Sequence, residues 1–291
     1  MRVNRLGRTF VAEVEGVDLS RLLSDAAFRP IREAFHDHAV LVFHDQRLDK
    51  KALIEFSRHF GPLLVHVLNQ YLAGDVPEVM RLSNIDESGQ RVVFRNGAEA
   101  WHTDLSFTDR PSLATLLYGE AIPPEGGDTL FCDAAAAFEA LDAATKRRIV
   151  NLKAVHSFSR YQAHRFAERP LTDTQRAKTP DVAHPVVRIH PETGRRSLFI
   201  GDDVISHVEG MGQTKGKALV DELLRHATED RFCYRHRWRR GDLLVYDNRC
   251  TLHRATGYDE KAHERTLLRT SIEGTPTCPP EIHRTEAEPG S

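Results

Sequence analysis

The chain has 291 residues, with 40 basic against 42 acidic side chains and a formal net charge of −2 at pH 7. This balance argues against a nucleic-acid or anionic-membrane surface as its main partner. With 40% hydrophobic and 28% charged residues, the composition is typical of a globular protein. No stretch approaches the roughly 18 apolar residues of a membrane span, and residues 1–16 lack the apolar run of a secretory signal.

The four cysteines are scattered without CxxC spacing, at Cys132, Cys233, Cys250 and Cys278. This pattern argues against a zinc ribbon or a redox motif. Reduced thiols and a cytoplasmic location are therefore expected. The oligomeric state is left open, and a homo-oligomer is compatible with the sequence.

Four amphipathic helices are predicted, over about residues 21 to 37, after Asp49, from Asp133 and near 215 to 229. The second is the clearest because Asp49 is a good N-cap and Leu53, Phe56 and Phe60 lie on one stripe. No GxGxxG or GxxxxGK[ST] motif accompanies them, so the usual phosphate-binding loops are missing.

At least eight short β-type runs lie between the helices: 38–43, 113–119, 128–132, 184–190, 197–201, 232–238, 242–247 and 265–272. In FCYRHRW, Phe232, Tyr234, His236 and Trp238 alternate with polar or small residues, and residues 190–195 are typical of a hairpin connection. Many short strands with helices outside predict a mainly β fold with flanking helices, a β-sandwich or jelly roll.

We expect one domain over residues 1–273. Residues 161–184 are polar and weakly patterned, and they are long enough to form a mobile lid. The segment 274–291 contains four prolines and is predicted to be a flexible tail.

The 16 histidines invite a search for metal spacing. The best candidate is WHTD, because His102 and Asp104 are two residues apart and would point to the same side of an extended segment. About one HxD pair is expected by accident in such a chain, and two HxE pairs compete for the same role: His190 with Glu192 and His207 with Glu209. The neighbouring sequence has to decide between them.

Three further motifs supply that context. His253, in DNRCTLHR, could complete the two-histidine, one-carboxylate set that holds non-haem Fe(II) and leaves coordination positions open. Arg265 and Arg269 are four apart on a predicted strand and so share a face, where each guanidinium can bind a carboxylate. In GGDT the glycines permit close backbone approach before Thr129 offers a hydroxyl.

WHTDLSF, PPEGGDTLF, DNRCTLHR and RTLLRTSI, in this order, resemble the Fe(II)/2-oxoglutarate dioxygenases of the taurine dioxygenase and 2,4-dichlorophenoxyacetate dioxygenase family. The similarity covers roughly residues 8 to 273. The resemblance implies a double-stranded β-helix, which agrees with the strand pattern. It also implies an oxidoreductase that uses Fe(II), O₂ and the cosubstrate 2-oxoglutarate, and that releases succinate and CO₂ while hydroxylating a second substrate.

Carried over by position, the resemblance makes His102, Asp104 and His253 the iron ligands. It assigns Arg265 to the distal carboxylate of 2-oxoglutarate and Thr129 to a hydrogen bond with the same cosubstrate. Arg269 is then expected to face an anionic group of the prime substrate. Among weaker candidates, His207 and His66 are assigned to the substrate pocket, and His190 with Glu192 is expected to face solvent in a turn.

The branch of the family decides the substrate. The segments 197–209 and 234–254 are closer to the phenoxyacetate branch, which favours a small aryloxyalkanoate cleaved at its ether after hydroxylation. The alternative is taurine or another alkyl sulfonate or sulfate ester, since residues 86–100 match neither branch. A non-catalytic β-sandwich that binds a small acid is the alternative of another class. A zinc hydrolase is disfavoured because no HExxH-type motif is present.

Overall fold

The computed structural model describes residues 1–7, 9–65, 72–73, 76–86, 88–92, 99–167 and 170–280. Within these ranges, no helix has the length and apolar character needed to cross a membrane.

The strands of the described residues are sixteen in number, most of them short. They are β1 Arg2–Arg5, β2 Val11–Glu15, β3 Val40–Phe43, β4 Leu72–Ala73, β5 Val76–Ser83, β6 Ala114–Ala121, β7 Thr129–Asp133, β8 Lys153–His156, β9 Val182–Pro185, β10 Val187–Ile189, β11 Arg196–Leu198, β12 Ile205–Val208, β13 Cys233–His236, β14 Leu243–Asp247, β15 Thr251–Ala255 and β16 Thr266–Ser271.

One large sheet has the strand order β1-β2-β3-β14-β6-β16-β5-β4, and only the β2–β3 pair in it is parallel. Three smaller sheets have the orders β13-β7-β15, β12-β8-β9 and β10-β11. The hairpin between β10 and β11 has Gly194 at φ 68, as its sequence predicts. The fold is therefore mainly β with flanking helices, as expected from the sequence.

Seven α-helices accompany the sheets in the described ranges: α1 Asp25–His38, α2 Lys50–Arg58, α3 Ala134–Ala140, α4 Ala143–Ile149, α5 Phe158–Arg165, α6 Asp173–Lys178 and α7 Gln213–Ala227. The first begins later than predicted because Ser24 caps it by accepting a hydrogen bond from the Ala27 N–H. Asp49 and Asp133 cap α2 and α3, as the sequence indicates.

Strand alternation gives the large sheet two buried faces. Leu243 and Val245 pack with Phe28, Phe35 and other side chains of α1 and α2. Leu244 and Tyr246, which alternate with them, face the opposite way and pack against Phe131 of β7. The sheets β13-β7-β15 and β14-β6-β16 therefore face each other, and the residues between them are the ones that build the site.

The sequence prediction misses α4, α5 and α6. Each is short, and α6 buries none of its side chains while α4 buries only Ile149, so no apolar stripe marks them. The predicted lid at 161–184 contains most of α5, all of α6 and part of β9. Its mobility stays a prediction.

The sulfur atoms of Cys132 on β7 and Cys233 on β13 form a disulfide between two neighbouring strands. This corrects the expectation that all four thiols are reduced. The cause lies in strand pairing, since the two residues lie directly opposite each other only in the folded sheet. In the segment predicted to be a flexible tail, the Cys278 carbonyl accepts a backbone hydrogen bond from Ile189 at 2.9 Å, and the flexibility of the segment stays a prediction.

Candidate active site

Backbone hydrogen bonds bring His102 and His253 side by side. The His102 N–H donates to the His253 carbonyl at 3.1 Å, and the His253 N–H donates to the His102 carbonyl at 2.9 Å. These bonds form an isolated antiparallel bridge at the edge of β15. His253 itself lies within strand β15.

The side chains of His102, Asp104 and His253 converge on one point. The Asp104 Oδ1 atom lies 3.7 Å from His102 Nε2 and 3.8 Å from His253 Nε2. One ligand atom from each residue falls within 4.8 Å of the other two. Asp104 and His253 are buried, and His102 is partly buried. The structure thus brings together the three residues that the sequence predicts as metal ligands.

The protonation of this group suits a divalent cation. Burial lowers the pKa of His102 and lowers that of His253 to about 3, so both imidazoles are neutral at pH 7. Burial alone would raise the pKa of Asp104, but its neighbours, with the Arg269 guanidinium first among them, outweigh burial and lower that pKa. Two neutral imidazoles and one carboxylate are a donor set that fits Fe(II).

The two imidazoles are held differently. The His102 Nδ1 atom lies 2.8 Å from the Ala100 carbonyl, and donation along this contact leaves Nε2 free to face Asp104. The buried Nδ1 of His253 has no hydrogen-bond partner among the described residues. Its ring packs instead against Tyr246 and Phe131, with centroids 4.6 and 6.0 Å away. Packing and a 3.3 Å contact between its Nε2 and the Tyr246 hydroxyl therefore orient the second imidazole.

Arg265 is a buried cation next to the GGDT segment. Its Nε–H donates to the Gly127 carbonyl at 3.0 Å, and no carboxylate of the described residues forms an ion pair with it. Burial lowers its pKa to about 10, so it stays charged at pH 7. Thr129 starts β7, and its hydroxyl accepts a hydrogen bond from Trp238 Nε1 at 3.0 Å, which leaves the hydroxyl hydrogen free to donate.

Arg269 connects the three converging residues to a cavity of about 500 Å³. Its Nη2 lies 3.0 Å from Asp104 Oδ1, and the guanidinium also lines the cavity. Burial would lower its pKa, but Asp104 raises it. The cavity wall is mostly apolar and includes Leu64, Val65, Met80, Leu105, Phe107, Pro180 and Val182. Leu105, directly after Asp104, has φ 54, a strained backbone conformation for a branched side chain.

Two weaker candidates from the sequence do not join this group. His207 is exposed on β12, its Nδ1 contacts Ser206 Oγ at 2.8 Å, and it is absent from the cavity wall, which corrects its assignment to the substrate pocket. His66 lies outside the described residues.

His190 is buried, which corrects its placement on the surface. Its Nε2 lies 2.9 Å from Asp247 Oδ2, and Glu192 forms an ion pair with Arg249. His190, Asp247 and Cys250 form a second group that could hold a metal ion by distance alone. However, Arg249 donates to both oxygens of Asp247, at 2.8 and 2.6 Å. Both carboxylate oxygens of Asp247 are therefore already paired with a guanidinium.

Sequence reasoning missed Thr115 and Tyr246. Their hydroxyl groups donate to Asp104 Oδ2 at 2.6 and 3.0 Å. Thr115 lies within a run that indicates only a buried strand, whereas Tyr246 directly precedes the DNRC segment, whose proximity to His253 was the available signal.

Comparison with known proteins agrees with this geometry. The family model described as "Taurine catabolism dioxygenase TauD, TfdA family" matches residues 2–271. The chain belongs to this family. An α-ketoglutarate-dependent 2,4-dichlorophenoxyacetate dioxygenase of Cupriavidus pinatubonensis is 36% identical over 280 residues, which cover 93% of this chain and 97% of that protein.

Two further similar proteins are informative about the substrate and the metal. An α-ketoglutarate-dependent sulfate ester dioxygenase of Pseudomonas putida is 30% identical over 271 residues, covering 90% of this chain and 86% of that protein. The crystal structure of AAD-2 in complex with Mn(II) and N-oxalylglycine matches with a TM-score of 0.81 and 31% identity, covering 94% of this chain and 97% of that one. The enzyme class expected from the sequence, a dioxygenase dependent on α-ketoglutarate (2-oxoglutarate), is confirmed.

Proposed function

We propose that this TauD/TfdA-family dioxygenase binds Fe(II) through His102, Asp104 and His253 and hydroxylates a small aryloxyalkanoate. The hydroxylated product loses its ether bond, which gives a phenol and, from a phenoxyacetate, glyoxylate. The main support is the convergence of the three ligand atoms beside a mostly apolar cavity that is lined in part by the Arg269 guanidinium. The facing sheets are interpreted as the double-stranded β-helix that the resemblance implies.

The cosubstrate 2-oxoglutarate carries two carboxylates, and Arg265 holds the distal one. Its guanidinium is buried, charged and without an ion-pair partner in the described chain, so a carboxylate would compensate a charge that the fold leaves open. The Thr129 hydroxyl donates the second hydrogen bond, because Trp238 already occupies one of its lone pairs.

Bound iron would supply the activation of O₂, coupled to conversion of 2-oxoglutarate to succinate and CO₂, and the transfer of one oxygen atom to a substrate C–H bond. The protein residues bind and orient. Arg269 holds the substrate anion close to Asp104, while Met80, Leu105 and Phe107 cover an aromatic body and exclude water. A cavity of about 500 Å³ accommodates a monocyclic aryloxyacetate.

The most direct test of this function is a substrate screen with Fe(II), 2-oxoglutarate and O₂. Succinate and released phenol are measured for aryloxyalkanoates, and succinate with sulfite or sulfate for alkyl sulfonates and sulfate esters. We expect substrate-stimulated succinate with aryloxyalkanoates, and its loss in His102→Ala and Asp104→Ala at an unchanged circular dichroism spectrum. Turnover of sulfur compounds alone would favour the second candidate, which the sulfate ester relative supports.

A non-catalytic acid-binding β-sandwich predicts a different outcome. Such a protein would bind small acids through Arg265 and Arg269 but would neither bind Fe(II) stoichiometrically nor release succinate. Titration of the purified protein with Fe(II) under anaerobic conditions distinguishes a dioxygenase from an acid-binding protein before any substrate is known.

A further inference from the structure

The two oxygen atoms of the Asp104 carboxylate have different surroundings. Oδ1 faces the two imidazole Nε2 atoms at 3.7 and 3.8 Å and lies 3.0 Å from Arg269 Nη2. Oδ2 points the other way and accepts hydrogen bonds from the hydroxyls of Thr115, at 2.6 Å, and Tyr246, at 3.0 Å. Only Oδ1 is therefore directed at the point where the three ligand atoms converge.

Asn248 determines the direction of the Thr115 hydrogen bond. The Asn248 Nδ2 atom donates to Thr115 Oγ1 at 2.9 Å, so this oxygen acts as the acceptor. The single hydroxyl hydrogen of Thr115 is then left for Asp104 Oδ2, which as a carboxylate oxygen can only accept. The orientation of the amide follows from its other end, since Asn248 Oδ1 accepts the Asp104 backbone N–H at 3.2 Å.

The backbone of Asn248 is held on both sides. Its N–H donates to the Leu113 carbonyl at 3.0 Å, and its own carbonyl accepts a hydrogen bond from the buried Arg188. The preceding Asp247 lies between Arg249 and His190. Asn248 and Thr115 are both fully buried, so no water competes for these hydrogen bonds.

We infer that Asn248 and Thr115 act as a positioning pair that fixes Asp104 as a one-oxygen metal ligand. Together with the Tyr246 hydroxyl, the pair occupies Oδ2, which opposes rotation of the carboxylate and keeps the second oxygen from a metal ion. One-oxygen ligation preserves the open coordination positions that the proposed chemistry needs. This inference rests on the proposed iron site. It assigns a role to Asn248, which lies in the DNRC segment that connects β14 to β15.

Thr115→Val tests the inference because it removes the hydroxyl and preserves the shape. Affinity for Co(II), used as a spectroscopic substitute, is measured by titrating the metal-free protein. We expect the affinity to fall 10- to 100-fold, as is typical when a hydrogen bond to a ligand is lost, with a changed Co(II) visible spectrum. Thr115→Ser retains the hydroxyl and is expected to restore both the affinity and the spectrum.

Thr103→Val is the matched control. Thr103 is also buried and lies next to Asp104, but its hydroxyl donates to the Thr251 carbonyl at 2.9 Å and not to the carboxylate. Wild-type affinity in Thr115→Val, or an equal loss in Thr103→Val, would overturn the inference. Failure of the wild-type protein to bind Co(II) would instead refute the proposed metal site. The unfolding midpoint of each metal-free variant shows whether it has folded.

Discussion

The side chain of Arg265 passes directly over Gly127. A Cβ atom built at Gly127 would lie 2.9 Å from both Cδ and Nε of Arg265, closer than real Cβ contacts allow. The residue also has φ 65, a conformation that L side chains rarely adopt. The second glycine of GGDT is therefore required at this position because it lets a buried guanidinium lie against the backbone.

Gly127→Ala is expected to displace Arg265 and raise the KM for 2-oxoglutarate by about tenfold or more, which corresponds to ~1.4 kcal/mol of lost binding. The matched control is Gly194→Ala, since Gly194 has a similar φ of 68 but nothing within 4 Å of the added Cβ. Steady-state kinetics with varied 2-oxoglutarate measure the effect. An equal KM change in the two variants would show that backbone strain alone is responsible.

Helix α2 supports strand β16, which carries Arg269. Ser57 of α2 and Thr270 of β16 share a hydrogen bond of 2.7 Å between their hydroxyls, and Leu53 and Phe56 pack in the core beneath the large sheet. Asp49 starts this helix by accepting the Ala52 N–H at 2.7 Å. The N-cap therefore stabilises an element on which part of the site is built.

Asp49→Ala should lower the free energy of unfolding by about 1 kcal/mol, the usual cost of losing an N-cap side chain. Asp49→Asn keeps an acceptor oxygen and should remain close to wild type. Chemical denaturation of the metal-free proteins measures both values. A wild-type value for Asp49→Ala would mean that packing of α2 on the sheet, and not its cap, determines the helix start.

In the molecule as a whole, two histidines outside the site make stability depend on pH in opposite directions. His156 is fully buried, and neither of its ring nitrogens has a hydrogen-bond partner in the described part of the chain; burial, with His184 and Arg188 nearby, lowers its pKa. The hydrogen bond that His44 donates to the Asp242 carboxylate raises the pKa of His44, which also faces Glu13 and Arg239.

Between pH 6.5 and 5 the unfolded chain binds a proton at position 156 that the folded protein does not bind, so this histidine makes the protein less stable as the pH falls. His156→Phe removes this pH-dependent contribution and keeps an aromatic ring beside Phe199, whose ring centroid lies 5.0 Å from that of His156 in the native protein. We expect the variant to lose less stability than wild type between pH 6.5 and 5, by up to ~1.4 kcal/mol per pH unit. Thermal unfolding of the metal-free protein measures the difference.

His44 affects the pH dependence of stability in the opposite direction, because its pKa is raised in the folded protein. Its stabilising contribution is present below the unfolded pKa of about 6.5 and is lost as the pH rises through its folded value. His44→Gln should therefore lose more stability than wild type on acidification. If both variants followed the wild-type curve, neither histidine would contribute to the pH dependence.

The sequence by itself determined the types of residue in the site and much of the local structure. Asp49 and Asp133 cap their helices as expected, the shared face of Arg265 and Arg269 follows from strand alternation, and the glycines of GGDT indicate a backbone turn. These features could be predicted since capping, strand alternation and backbone freedom are local properties.

Only the tertiary structure decided which distant segments meet. The bridge between His102 and His253, the contacts of Thr115 and Asn248 around Asp104, the disulfide and the burial of His190 all depend on strands far apart in sequence. The same dependence explains why His207 was placed wrongly, because its strand β12 pairs with β8 in a separate small sheet. Strand pairing is set by the summed packing of whole sheets, and no short segment carries that information.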